Sequence, residues 1–411
     1  MTSTKQTSRA GRRLGLLLLT ILVASCSGDG GSSGNGGTDT NGEMRAAVLA
    51  ALGENVVVPA QESFDALAEV LASELGAASD GTGSRADAQD AWREAMVAWQ
   101  ALEVMQFGPA GNSVTVMGIP PVLGGQDFRA RIYAPPPTLN LCLIDQITVG
   151  SDYDDPDALD ATPGVPRGLG AIEYLLFNED SGNNCTALNT INSDGTWDDL
   201  ASEIPSRRLA YAGALATLVR RAAGGLVDAW APAGGNFIDE LINPTRSGAV
   251  YGSAQEGLNS ISTAMFYLEA DTKDAKVGKP SGITDCPATE QPCVFESIWA
   301  SQSKENVLAN LEAFRTLFVG GTRDGGDALG FDDLLAEMGA GDFAEEMVIA
   351  VDRAIQSVAA IPTILEEAVA SDPQSPEIAE EAIDMVTDEL RSRFLSVLEF
   401  ELPERVAGDN D

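Results

Sequence analysis

A single acid, Glu173, stands in the apolar stretch GLGAIEYLLF at residues 168–177. Carboxylates are rarely buried without a partner or a task. Gly170 and Glu173 lie three apart and share a helix face, with Gly168 just before them. The plainer reading is that Glu173 caps a neighbouring helix or pairs with Arg207 or Arg208. A second acid closes a spaced series in which Trp92, Met96, Trp99 and Glu103 advance by four, three and four. The three apolar members make a packing stripe. Glu103 then either surfaces at the helix end or points into an interhelical pocket. A third acid, Glu296, precedes Ser297 in CVFESIWASQSKENVLANLEAF, with Ser301 and Ser303 close by. In the first turn of a helix its charge would suit the dipole. Lys273, Lys276 and Lys279 crowd together in a lysine-poor chain and read as solvating a helix end, or as binding a surface acid.

These groups are oxygen donors and acids. Glu173 and Glu103 are the candidate metal ligands, and a hard cation such as iron or calcium would suit them. The chain has no histidine at all. Zinc sites, haem ligation, Ser-His-Asp triads and Cys-His dyads usually need an imidazole, so zinc and haem are disfavoured. Acid pairs can cleave peptides without histidine, yet no pair of Asp-Thr/Ser-Gly motifs is present.

The N-terminus reads as an address. Lys5, Arg9, Arg12 and Arg13 precede the apolar run Leu14–Ala24, and Val23-Ala24-Ser25-Cys26 follows the pattern of a bacterial lipobox. That resemblance implies cleavage after residue 25 and a lipid on Cys26. Ser27 then directs the protein to the outer membrane by the usual Gram-negative sorting pattern. The expected location is the cell envelope, lipid-anchored, facing the periplasm or the surface. Residues 26–43 are rich in Gly, Ser and Asn and read as a flexible tether. Export puts the remaining Cys142, Cys185, Cys286 and Cys293 in an oxidising compartment. Cys286 and Cys293 flank a short polar loop and pair locally, which leaves Cys142 for Cys185. A metal–thiolate site is the rival reading.

The formal charge of −37 repels nucleic acid and anionic lipid and would attract cations or a basic protein partner. Abundant Ala and Leu, both strong helix formers, favour an all-α fold. Helical periodicity runs through most of the chain. Helices are expected over 43–75 with an interruption near Pro59, over 84–107, and over 197–230 with a break at Pro205. The region 108–166 reads as loop. Beyond residues 231–236 come helices near 247–271, 296–319, 327–338, 342–371 with a kink at Pro362, and 376–401. A faint echo links GAIEYLLF to GFDDLLAE. The expected architecture is two packed four-helix-bundle-like domains, 44–235 and 236–405, arising by internal duplication.

The ordered segments AWREAMVAWQALEVMQFGP, RIYAPPPTLNLCLID, GLGAIEYLLF, ADTKDAKVGKPSG, FESIWASQSKENVLANLEAF and GFDDLL resemble the imelysin family, peptidase M75. The resemblance spans roughly residues 44–404. It implies two duplicated helical bundles with a site where they meet, in an exported and often lipid-anchored protein. Some members are iron-regulated or sit with iron-uptake systems. The family signature is Gly-x-His-x-x-Glu. Here Gly168 and Glu173 match, and Gly170 replaces the histidine. Three functions follow in order of preference: a non-catalytic binding protein for a small ligand or metal ion, linked to iron acquisition; a structural or adhesive surface module; and a peptidase. The candidate binding residues are Glu173, Gly168, Gly170, Glu103, Glu296 and Ser297.

Overall fold

The computed structural model describes residues 40–115, 121–135, 138–286, 293–322 and 328–407. The signal segment 1–25, Cys26, most of the tether and the loop 287–292 lie outside the described residues. The expected all-α class holds: the described residues form helices and turns, with no strand among them. From Thr40 onward the chain makes one compact unit. None of its helices is long and apolar enough to cross a membrane.

Helix α1 (Thr40–Leu52) already takes in the last residues of the expected tether. One π-helical turn, Gly53–Val57, joins it to α2 (Val58–Ser79). Pro59 sits in the first turn of α2, where its missing N–H costs little, so the interruption is a widened turn and not a break. Helix α3 (Arg85–Glu103) starts at Ser84, whose side chain accepts the Asp87 N–H at 3.1 Å. Trp92, Met96 and Trp99 are buried as one stripe, each contributing at least about 2 kcal/mol by leaving water.

The segment read as loop holds short helices, among them α4 (Phe128–Ile132) and α5 (Leu141–Gly150). Helix α6 (Gly168–Phe177) is buried along its whole length. Helix α7 (Ile204–Trp230) begins with Pro205 in its first turn, as the sequence foretold for a break there. After α8 (Ile238–Ile242) and α9 (Ala254–Met265), the chain continues as a π-helical run, Leu268–Gly278. The helix expected over 247–271 therefore starts later and extends further, with a wider winding. Helices α10 (Ser303–Phe318), α11 (Phe331–Glu337), α12 (Gly341–Ala359), α13 (Leu365–Ser371) and α14 (Gln374–Glu389) complete the frame. The expected helix over 342–371 divides around Pro362.

Helix α7 packs on α2 and α6, and α3 packs on the same two. Helix α12 packs on α10 and α14, and the π-helical run packs on those two as well. Contact between α3 and α10 joins the two groups. The disulfides pair as read, Cys142 with Cys185 and Cys286 with Cys293.

Candidate functional site

The α3–α10 contact is not a dry apolar seam. Glu103 ends α3 and is fully buried. Its Oε1 accepts the Trp99 indole N–H at 3.1 Å and a guanidinium N–H of Arg129 at 3.5 Å. Its Oε2 accepts the Tyr267 hydroxyl and, at 3.4 Å, the Lys276 ammonium. The alternative in which Glu103 surfaces at the helix end is thereby corrected: the Trp stripe carries the acid inward, onto donors from α4 and the π-helical run. Burial acts to lower the pKa of Arg129, but Glu103 and neighbouring oxygens outweigh it and hold the guanidinium above its ordinary value. Burial, with Glu103 beside it, pushes the Tyr267 hydroxyl well up, so it stays a donor.

Glu296 answers from the other side. Its Oε1 accepts the Tyr133 hydroxyl at 2.7 Å and the Gln100 amide at 3.3 Å. Its Oε2 accepts the Asn306 amide at 3.0 Å and pairs with Lys276 at 3.1 Å. The first-turn helical position expected for Glu296 is corrected. Residues 296–301 instead form a turn ahead of α10, and Ser301 adopts a left-handed φ of 54° that breaks the winding. Ser297 is buried and accepts the Asn306 amide at 2.9 Å, while its N–H donates to Ser303 Oγ at 3.3 Å.

Lys276 holds the centre. It also donates to Gln100 Oε1 and, at 2.9 Å, to Asn310 Oδ1. Lys273 is buried too and pairs with Asp384 of α14 at 2.9 Å. The reading of these lysines as solvating a helix end is corrected for both. The π-helical winding rotates them off the surface, because an added residue per turn shifts every following side chain around the axis. Two buried carboxylates, Glu103 and Glu296, thus face two cations, Lys276 and Arg129.

Glu173 is placed one step away. Its Oε1 accepts the backbone N–H of Trp299 at 3.0 Å and of Ala300 at 3.1 Å. Its Oε2 is buried without a hydrogen-bond partner. Burial pushes its pKa well above the usual carboxylate range, against those two N–H groups and with the charges of Glu296 and Glu366 adding to it. A neutral acid suits the geometry, since its carbonyl oxygen takes both N–H donors. Glu173 therefore ties α6 to the 296–301 turn. Arg207 and Arg208, offered as partners, bind elsewhere: Arg207 pairs with Glu203, and Arg208 donates to the carbonyls of Asn178, Asp180 and Gly182.

Gly168 and Gly170 are fixed by crowding. Gly168 has a φ of +81°, and a Cβ there would meet the Ile132 carbonyl oxygen at 2.6 Å. A Cβ on Gly170 would meet the Ala134 carbonyl oxygen at 2.0 Å. The Trp92 indole N–H donates to the Leu169 carbonyl at 2.9 Å and pins this turn to α3. No imidazole fits where the family signature has one.

The donors do not fit a catalytic metal. Both oxygens of Glu103 and of Glu296 face cations or amide and hydroxyl donors, and Glu173 spends Oε1 on backbone. Among the described residues, no group of three or more Asp, Glu or Cys is arranged to hold a metal ion. Open space lies instead beside Glu103 and Tyr267. A cleft of about 400 Å³ is lined there by Glu103, Gln106, Tyr267, Asn259, Thr263 and Glu401, among others.

Sequence reading missed Gln100, Arg129, Tyr133, Tyr267, Asn306 and Asn310 as members of this cluster. One signal was available. Asn306 and Asn310 lie four apart on the face that also carries Val307, Leu311 and Phe314, and amides on an apolar stripe need buried partners.

The family model of imelysin, peptidase M75, matches residues 60–393. A protein named as an iron-regulated protein A precursor, from Parabacteroides distasonis ATCC 8503, has a similar solved structure, with a TM-score of 0.65 at 17% identity, covering 89% of this chain and 96% of that one. An imelysin-like protein from Psychrobacter arcticum 273-4 is similar with a TM-score of 0.64 at 14% identity, covering 88% of this chain and 97% of that one. No curated protein matches the chain.

Proposed function

The chain belongs to the imelysin family, and from that premise we propose that it is an exported, lipid-anchored protein that holds a ligand without cutting it. The observation that carries this reading is the engagement of its acids. Glu173 grips the backbone of Trp299 and Ala300, and Glu103 and Glu296 are neutralised by Lys276 and Arg129. Nothing in that arrangement activates a water or a nucleophile.

The cleft beside Glu103 and Tyr267 is the proposed binding place. Exposed carboxylates of Glu401 and Glu404 stand at its rim, so it favours a neutral or cationic small ligand over an anion. The name of the Parabacteroides protein, an iron-regulated precursor, supports a link to iron acquisition. The lipobox at Cys26 and the basic, apolar leader support an envelope location, at the outer membrane.

We read the architecture as two four-helix units, within 44–235 and 236–405, related by duplication. The ring of α2, α3, α6 and α7 and the ring of α10, α12, α14 and the π-helical run support it. The ligand cleft and the acid cluster then belong to the meeting of the two units, as in the family expectation.

The test pairs two assays on the full chain. Calorimetry with a cationic ferric hydroxamate chelate as the bulky probe, with Ca²⁺, and with anionic ferric citrate as the disfavoured control is run against the wild type and against Thr263→Trp, which fills the cleft. A peptide-hydrolysis assay is run in parallel. Binding of a bulky probe that is lost in Thr263→Trp, with no hydrolysis, is the expected result. Turnover of peptide that disappears in Glu173→Gln would overturn the reading.

A further inference from the structure

In a chain whose formal charge is −37, one cleft of about 270 Å³ gathers three arginines. Arg131 comes from α4, Arg221 from α7, and Arg167 from the position just before α6. Asp160, on the short helix Pro156–Ala161, is the single acid in the lining. Three other clefts on the molecule, the one beside Tyr267 among them, are lined with Asp or Glu and carry no arginine or lysine.

The arginines differ in the donors they have left. Arg167 is fully engaged. Its Nε donates to the Val165 carbonyl at 3.3 Å, its Nη1 to the Asp160 carboxylate at 2.8 Å, and its Nη2 to the Thr162 carbonyl at 3.0 Å. It fixes the loop after the Pro156–Ala161 helix and the place of Asp160. Arg131 gives only Nη1, to Asp160 Oδ2 at 3.1 Å, and Arg221 gives only Nη1, to Asp157. Among the described residues, Nε and Nη2 of both meet no acceptor. The two side chains are 58% and 47% exposed, so a ligand reaches them with no opening of the fold. Their ion pairs are solvated and contribute at most about 1 kcal/mol each. Asp157 is 80% exposed and stands outside the lining, so it yields Arg221 to a competing anion at little cost.

We infer that this cleft binds a phosphate dianion, free or as a monoester. A guanidinium is a planar fork that grips carboxylate or phosphate oxygens in pairs. A monocarboxylate fills one fork and brings a single charge, which leaves the second arginine with its aspartate. A phosphoryl group brings about two negative charges near neutral pH and presents oxygens in several directions. It therefore answers Arg131 and Arg221 together, from α4 on one side and α7 on the other. Arg167 adds positive charge without moving. The excess of arginine over Asp160 repels a cation. Phe128 and Leu218 line the remaining wall and suit the organic part of a monoester.

The probes are inorganic phosphate, phenyl phosphate and acetate, each titrated calorimetrically into the full chain near neutral pH at fixed ionic strength. Saturable binding of a phosphate probe is expected, with acetate about tenfold weaker or worse. Arg131→Gln and Arg221→Gln are each expected to weaken that binding about tenfold, the loss of one charge-assisted contact. Their thermal midpoints should match the wild type, since both side chains are exposed. Arg220→Gln is the control: it removes the same charge from the adjoining exposed position, outside the lining, and should leave the affinity unchanged. Asp157→Asn, which frees Arg221, should tighten binding about threefold. Tighter binding of phenyl phosphate assigns the cleft to monoesters, and tighter binding of inorganic phosphate assigns it to the free ion; both support the inference. No saturable heat with either phosphate probe at millimolar concentration would overturn it. So would acetate bound as tightly as phosphate, or equal weakening in Arg220→Gln and Arg221→Gln. Each would leave three arginines that only fasten the Pro156–Ala161 helix. The cleft shares no lining residue with the one beside Tyr267, so that failure would leave the function proposed above untouched.

Discussion

The carbonyl oxygen of Ala134 occupies the space in which a side chain on Gly170 would begin, 2.0 Å from an ideal Cβ. Backbone, not a movable side chain, fills the position. The histidine of the family signature is therefore replaced in a way that the surrounding fold has closed over. Gly170→Ala should destabilise the chain by about 3 kcal/mol, the upper end of the range for overpacking, and Gly170→His by more. Urea denaturation measures both. Neither variant should gain zinc-dependent peptide hydrolysis. A Gly170→His protein of wild-type stability would mean that the 132–134 segment yields easily.

The helices were legible because their apolar spacing and their stops are local. Ser84, Pro59, Pro205 and Pro362 act on the turn they stand in, so their effects could be read without neighbours. The acids Glu173 and Glu103 were legible as buried candidates for the same reason, since each sits on an apolar face. Their partners were not. Lys276 faces inward only because the chain winds as a π-helix from Leu268 to Gly278, and an α-helical projection puts it in solvent. Glu296 lies in a turn set by the φ of Ser301 and by N–H groups that reach across to Glu173. Contacts between residues more than a hundred positions apart leave no periodic trace.

Glu173 makes stability depend on pH with a definite sign. Burial raises its folded pKa above the unfolded value, so the folded state binds the extra proton. The associated stability is full below the unfolded pKa near ~4.3 and is lost as pH rises through the folded pKa, at up to about 1.4 kcal/mol per pH unit. Glu366, also raised chiefly by burial, acts in the same direction. Glu173→Gln should remove its share. Urea midpoints of wild type and variant, compared between pH 5 and pH 8, should diverge in favour of the variant as pH rises. A constant difference would show that Glu173 is ionised in the folded chain.

The two disulfides should differ in worth because they close loops of different length. Cys142 and Cys185 are 43 residues apart, and Cys286 and Cys293 are 7 apart. Chain entropy gives about 4 kcal/mol for the first and about 2 kcal/mol for the second. Denaturation of Cys142→Ser/Cys185→Ser and of Cys286→Ser/Cys293→Ser tests the order. Equal losses would place the stabilisation in native contacts instead of in the unfolded chain.

Lys276 joins the helix that ends in Glu103 to the turn that holds Glu296, so its removal leaves two buried carboxylates short of a cation. Lys276→Met should cost about 3–5 kcal/mol, most of it the penalty of uncompensated charge and not the worth of the contacts themselves. Glu296→Gln keeps the shape and removes one of those charges. If the penalty is electrostatic, the double variant Lys276→Met/Glu296→Gln should recover part of the loss, with a coupling of about 1–3 kcal/mol in the double-mutant cycle. A merely steric role for the lysine stem predicts additive losses. Arg129 does not take over, because it meets Glu103 at Oε1, whereas Lys276 meets Oε2 and Glu296. Additivity in the cycle would therefore remove the charge balance on which the reading of a ligand-holding, non-hydrolytic centre depends.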